Sequence, residues 1–147
     1  MRDRVRFTRV GDQADLLPPA RGSARAAGYD VRAAESVTLE PGEIRLVGTG
    51  FALELPEHLE CQVRPRSGLA LKHGITVPNS PGTIDPDYRG ELRIILQNSG
   101  CETVRLDRGE RIAQLVFARF ETPELSEVSV LSSTDRGDGG FGSTGTS

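Results

Sequence analysis

The chain has 147 residues, with 18 Lys and Arg, 21 Asp and Glu, 2 His and a formal net charge of -3. That length fits one domain. The acidic balance argues against a duplex nucleic-acid binder, and the absence of Trp with 5% aromatics leaves little for stacking single strands. The pair Cys61 and Cys101 makes neither a disulfide framework nor a zinc knuckle, no apolar run is long enough to span a membrane, and the charged start Met1-Arg2-Asp3-Arg4 has no signal-peptide core, so the expected setting is a reduced cytoplasm.

In chain order, apolar and polar residues alternate over 4–8, 43–46 and 60–64, and 37–39, 51–55, 92–96, 103–106 and 115–120 are also strand-like. Turn pairs separate these runs: Pro41-Gly42, Pro81-Gly82, Pro86-Asp87, Arg89-Gly90, Ser99-Gly100 and Arg108-Gly109. Many short strands at this spacing predict an all-β barrel or sandwich. One helix is expected over 67–74, with Ser67 as its N-cap and Gly74 just past its end. Hydrophobic content of 36% is lean for a chain that must bury a core alone.

Residues 132–147 differ in composition, with five Gly and seven Ser or Thr. A solvated tail is the plain reading. The same stretch also holds a cation (Arg136), a flat ring (Phe141), glycines that free backbone N–H groups, and the hydroxyls of Ser143 and Thr144. Those are the parts of a flap over an anion and a base. Gly140-Phe141-Gly142-Ser143-Thr144-Gly145 matches the dinucleotide pattern G-x-G-x-x-G, but the sequence given ends two residues later, with no following helix or acidic residue.

Four further segments carry chemistry. In 82–92 the order strand, turn, strand suggests a hairpin that gathers Asp85, Asp87 and Tyr88; a surface turn is the alternative. Asp85 there is placed to polarise a water and Tyr88 to pack on a ring. Arg66, Ser67 and Gly68 open the expected helix, where free N–H groups suit phosphate, or Ser67 simply caps it. Asp30 sits among small residues in a half-buried strand. It either makes a salt bridge, with Arg32 or a neighbouring chain, or reaches Mg²⁺ through water. Gln114 is a lone amide inside an apolar strand; it either satisfies the core or orients a phosphate oxygen or a water.

Taken together and in this order, segments 26–34, 65–70, 79–92, 108–117 and 136–145 resemble the trimeric dUTP diphosphatase (dUTPase) family. The resemblance spans nearly the whole chain. It implies a distorted jelly-roll β-barrel subunit with one short helix, assembled as a homotrimer. The barrel domain would cover 1–131. Residues 132–147 would form a flexible Gly-rich arm that closes over a site of the trimer and is poorly ordered without nucleotide.

The implied reaction is hydrolysis of dUTP to dUMP and pyrophosphate by Mg²⁺-assisted water attack on the α-phosphorus. The implied roles are as follows. Asp85 is the general base and touches the sugar 3′-OH. Tyr88 packs on deoxyribose and excludes a 2′-OH. Asn79, with backbone of Thr83, Ile84 and Arg93, reads uracil. Arg66, Ser67, Gly68 and Gln114 hold phosphates, and Asp30 holds Mg²⁺ through water. Arg136 contacts the γ-phosphate, Phe141 stacks on uracil, and Gly142, Ser143 and Thr144 close the phosphate site. Val31 stands where the family has leucine, and Pro86 stiffens the turn after Asp85.

A dCTP deaminase on the same fold is the nearest alternative. Its general-base glutamate would fall at Ile95, ten residues after Asp85, which cannot move a proton. A non-catalytic uridine-nucleotide sensor is the other.

Overall fold

The computed structural model describes residues 3–142. Its elements run β1 (Arg6–Arg9), β2 (Ala20–Arg21), β3 (Tyr29–Arg32), β4 (Val37–Leu39), β5 (Ile44–Glu54), β6 (Leu59–Arg64), α1 (Ser67–His73), β7 (Ile75–Thr76), β8 (Gly82–Ile84), β9 (Glu91–Asn98), β10 (Val104–Leu106) and β11 (Arg111–Arg119). One sheet has the order β1-β5-β9-β7, a second β2-β3-β11-β6-β8, and β10 pairs with β4. The ladders are antiparallel and join strands distant in sequence, as β5 with β9 and β11 with both β3 and β6. This is the all-β barrel that the strand pattern predicted, in the distorted jelly-roll form with one short helix that the resemblance implied.

The two-residue period of each strand sets what faces the core. In β9, Leu92, Ile94 and Leu96 are buried while Glu91, Arg93 and Ile95 turn the other way. Leu59, Cys61 and Val63 of β6 do the same, as do Val37 and Leu39 of β4 and Val104 and Leu106 of β10. With Val31, Val47 and Leu115 they form one apolar cluster. Each fully buried aliphatic side chain contributes about 1.5–3 kcal/mol, so a modest apolar content suffices when it is confined to one face. Thr49 and Asn98 are buried polar residues, and both are bonded: Thr49 Oγ1 donates to the Leu92 carbonyl at 2.6 Å, and Asn98 Nδ2 donates to the Leu39 and Glu102 carbonyls.

Several sequence expectations change. The runs 43–46 and 51–55 are one strand, β5, with a register shift between Gly48 and Ala52 against β9. The segment 82–92 is not a hairpin: β8 pairs with β6, whereas β9 pairs with β5 and β7. The chain therefore leaves one sheet at Ile84 and enters the other at Glu91. Ser67 is not the cap of α1; Arg66 holds the N-cap position in extended conformation, with no side-chain cap bond, and Ser67 is the first helical residue. Gly74 does end the helix, at φ 67°, in the left-handed region glycine tolerates. The two-residue strands β2 and β7 are too short to carry a period.

Candidate functional site

A pocket of about 490 Å³ lies where the chain crosses between sheets. Its one wall is the outward face of β9, Glu91, Arg93 and Ile95, with Leu46 of β5. The other is β8, with Gly82, Thr83 and Ile84, backed by Val63 of β6 and the preceding Asn79; Tyr88 completes it. The alternation that buries Leu92 and Ile94 is what aims Arg93 and Ile95 into this space. Asn79 packs on Gly82, where a Cβ would lie 3.0 Å from Asn79 Nδ2.

Asp85 and Tyr88 are the ends of one turn. Tyr88 N–H donates to the Asp85 carbonyl at 3.2 Å, and Pro86 supplies the fixed φ that suits the turn's second position. Arg89 braces it through the Pro86 and Tyr88 carbonyls. The Tyr88 hydroxyl donates to the Glu91 carbonyl at 3.0 Å. It passes so close to Gly90 that a Cβ there would sit 2.3 Å from the phenolic oxygen. Asp85 is exposed, one residue beyond the pocket-lining Ile84.

A second group surrounds Asp30. Register places Asp30 of β3, Gln114 of β11 and Arg64 of β6 side by side. The Asp30 carboxylate accepts from Arg66 Nε at 3.1 Å and Arg111 Nη1 at 3.2 Å. The ion pair offered by the sequence, to Arg32, does not form; Arg32 donates instead to the Gly109 carbonyl. Gln114 Nε2 donates to the Pro65 carbonyl at 2.9 Å, and its Oε1 lies against Gly28. So Gln114 links the loop before α1 to the strand that carries Asp30. Ser67 and Gly68 follow Arg66 and are exposed.

The tail forms a third group. Arg136 Nε donates to the Gly139 carbonyl at 2.8 Å, and Gly137 N–H to Thr134, in local turns. The Phe141 ring is fully exposed, and Gly142 with it, so Phe141 does not stack in its own chain's pocket. Ser143 and Thr144 lie outside the described residues.

Within one chain, then, Asn79, Thr83, Ile84, Tyr88 and Arg93 share a cavity, Arg66, Arg111 and Gln114 gather around Asp30, and the described part of the tail joins neither. Sequence reading overlooked Glu91 and Arg111, because charged residues in alternating strands look like solvated faces. Among the described residues no three His, Cys, Asp or Glu side chains converge as a metal cage. A divalent ion at Asp30, whose two oxygens Arg66 and Arg111 already engage, would have to draw most of its ligands from phosphate and water, as Mg²⁺ can.

These features define a small antiparallel β-barrel that carries a pocket for a compact polar ligand and, as a separate group, arginines gathered on Asp30. The dUTPase family model matches residues 14–145, and the chain belongs to that family. A deoxyuridine 5′-triphosphate nucleotidohydrolase of Solibacter usitatus is 55% identical over 144 residues, covering 98% of this chain and 97% of the relative. One from Thermoanaerobacter sp. is 50% identical over 143 residues, covering 96% and 97%. Among solved structures, a mutant of the Staphylococcus bacteriophage 80alpha dUTPase with dUpNHpp superposes with a TM-score of 0.88 at 29% identity, covering 97% of this chain and 99% of that one. A mutant dUTPase of phage phi11 of S. aureus, described as revealing the coordination of a structural Mg(II) ion, gives 0.80 at 26% identity, covering 89% and 100%.

Proposed function

We infer that this protein hydrolyses dUTP to dUMP and pyrophosphate. One observation carries the reading: Asn79, Thr83, Ile84, Tyr88 and Arg93 line one pocket although they come from a loop, a strand, a turn and a strand of the other sheet. Relatives named for this activity support it. The hydrocarbon of Ile95 lines the same pocket, which disfavours a deaminase.

In the proposed mechanism the Asn79 amide and the strand backbone at Thr83, Ile84 and Arg93 read the uracil edge. The Tyr88 ring packs on deoxyribose and leaves no room for a 2′-OH. Asp85 touches the 3′-OH and takes a proton from the water that attacks the α-phosphorus, while pyrophosphate leaves in line. Arg66, Ser67, Gly68 and Gln114 orient the phosphates, so most of the rate comes from positioning and charge. Asp30 would hold the cofactor Mg²⁺ through water, and that ion would supply charge neutralisation at the triphosphate and a more electrophilic phosphorus. From the arm, Arg136 meets the γ-phosphate, Phe141 covers the base, and Gly142, with Ser143 and Thr144, closes the phosphate site.

The working unit is a homotrimer, with a barrel domain over 1–131 and an arm over 132–147. The exposed Phe141 ring, which does not line its own chain's pocket, supports a site completed by another chain. No helix among the described residues is long and apolar enough to cross a membrane. The free, exposed Cys101 supports a cytoplasmic setting.

The test is pyrophosphate release from dUTP, UTP, dTTP and dCTP with Mg²⁺, beside Asp85→Asn. Turnover of dUTP alone, reduced ~10²–10⁴-fold by the substitution, is expected for loss of a general base. Binding of dUTP without release would leave a sensor, and release from several nucleotides would overturn the uracil assignment.

A further inference from the structure

Glu91 is the pocket residue with the most partners and no assigned role. It is the first residue of β9, and its side chain is only 20% exposed. Oε1 accepts the backbone N–H of Gly50 at 3.0 Å, and Oε2 pairs with Arg93 Nε at 3.1 Å. Gly50 lies inside the register shift of β5, at φ +72°, where the ladder to β9 is interrupted. The carboxylate therefore supplies the acceptor that a neighbouring strand would otherwise provide. Room for it depends on Gly48, where a Cβ would meet Oε1 at 2.6 Å. The backbone carbonyl of Glu91 meanwhile receives the Tyr88 hydroxyl.

We propose that Glu91 is a positioning residue of the nucleoside pocket: its carboxylate fixes the β5 bulge and the Arg93 side chain, and its carbonyl fixes Tyr88, so that the base and sugar walls are preformed before nucleotide arrives. This deepens the dUTP reading and rests on it. A preformed wall lowers the ordering cost of binding, and so acts on KM more than on the chemical step. Sugar selectivity depends on it too, because a Tyr88 ring free to shift admits a 2′-OH.

Glu91→Gln discriminates well. Its single amide oxygen still accepts from Gly50, whereas its NH₂ faces the Arg93 N–H and cannot pair. Steady-state kinetics on the full-length protein should show KM for dUTP raised ~10-fold, the effect of one lost charge-assisted bond, with kcat within ~2-fold and an unchanged melting temperature. In a double-mutant cycle, adding Glu91→Gln to Arg93→Met should change KM no further, because the two act as a unit. Glu91→Ala, which also frees the bulge, should narrow the preference for dUTP over UTP.

An unchanged KM, additive effects in the cycle, or a fall of kcat in step with melting temperature would each overturn the proposal. Calorimetric dUMP binding separates it from the activity itself. If the wild-type protein binds dUMP but turns over no dUTP, the hydrolase reading fails, and a ~10-fold weaker dUMP affinity of Glu91→Gln still supports the role of Glu91. Equal affinities refute that role.

Discussion

At Gly28 an added Cβ would lie 2.2 Å from Gln114 Oε1 and 3.2 Å from its Cδ. Gln114 is held from the other side by its bond to the Pro65 carbonyl, so it can yield only by giving up that bond. Gly28→Ala is expected to swing the amide off Pro65 at a cost of about 1–3 kcal/mol, the range for overpacking. The misplacement should lower kcat for dUTP by ~10–100-fold while the fold survives, as kinetics and denaturant unfolding on one preparation would show. The cysteines make a second contrast. Burial, with a smaller push from the Glu60 charge, raises the Cys61 thiol from 9.0 to about 12, whereas Cys101 is exposed. A disulfide reagent should therefore label one thiol per native chain and the second only after unfolding. The folded state holds its Cys61 proton where the unfolded chain releases it. That contribution is complete below pH 9.0 and is lost as pH rises towards about 12. Cys61→Val should flatten this part of the curve of unfolding free energy against pH.

Asn98 closes β9 by tying three segments together. Its Nδ2 donates to the Leu39 carbonyl of β4 at 3.0 Å and to the Glu102 carbonyl at 2.7 Å, and its Oδ1 accepts the Gly100 N–H at 2.9 Å. The side chain is fully buried, so Asn98→Ala strands several polar groups. It should cost about 3 kcal/mol in denaturant unfolding at fixed protein concentration, well above the effect of truncating an exposed strand residue. The loop before β2 is tied differently, by Arg108, whose guanidinium grips the Asp15 carboxylate at 2.8 and 2.9 Å. That hydrogen bond, before the weaker charge effects, holds the Asp15 carboxyl below its ordinary 3.8. The stabilisation is present above pH 3.8 and fades as pH falls through the lowered value, so Asp15→Asn should remove part of the acid sensitivity measured by melting below pH 4. Strands with a clean period, such as β4, β6 and β9, were legible in the sequence because alternation alone decides which side is buried. The joining of 43–46 to 51–55 was not. Gly48, Thr49 and Gly50 interrupt the pattern as a loop would, and tertiary bonds to Leu92 and Glu91, with those from the Ala34 and Val10 N–H groups to the Gly48 and Gly50 carbonyls, hold them in the strand. The supposed hairpin at 82–92 failed for a related reason. Turn chemistry at Asp85-Pro86 fixes a reversal but says nothing about which sheet each arm joins. Candidates for the site could be picked from residue type and order, as at Asp85, Tyr88 and Gln114. Glu91 and Arg111 could not, because their bonds are to partners distant in sequence.

A chain that leaves so much apolar surface uncovered is built for company. Past β11, residues 120–131 form no strand, and Leu125 at 94%, Val130 at 81% and Leu131 at 83% exposure stand in water. Such side chains in one stretch mark an interaction surface. In the proposed trimer, a closed ring of identical copies would cover them without leaving an open end. The proposed trimer then predicts a mass three times 15.9 kDa in light scattering at micromolar concentration. It also predicts a result that a monomeric enzyme cannot give. Subunits carrying Asp85→Asn keep the arm but lose the base; subunits cut before Asp135 keep the base but lose the arm. Each alone should be nearly inactive. If the arm of one chain closes over the pocket of another, unfolding the two together and refolding them restores the sites that pair an intact Asp85 with an intact arm. That is about a quarter of all sites for random equal mixing in a ring. If base and arm of a site come from the same chain, no mixed site has both and no activity returns. Recovery of pyrophosphate release on mixing, absent when either preparation is refolded alone, therefore tests the assembly and the role of the arm together.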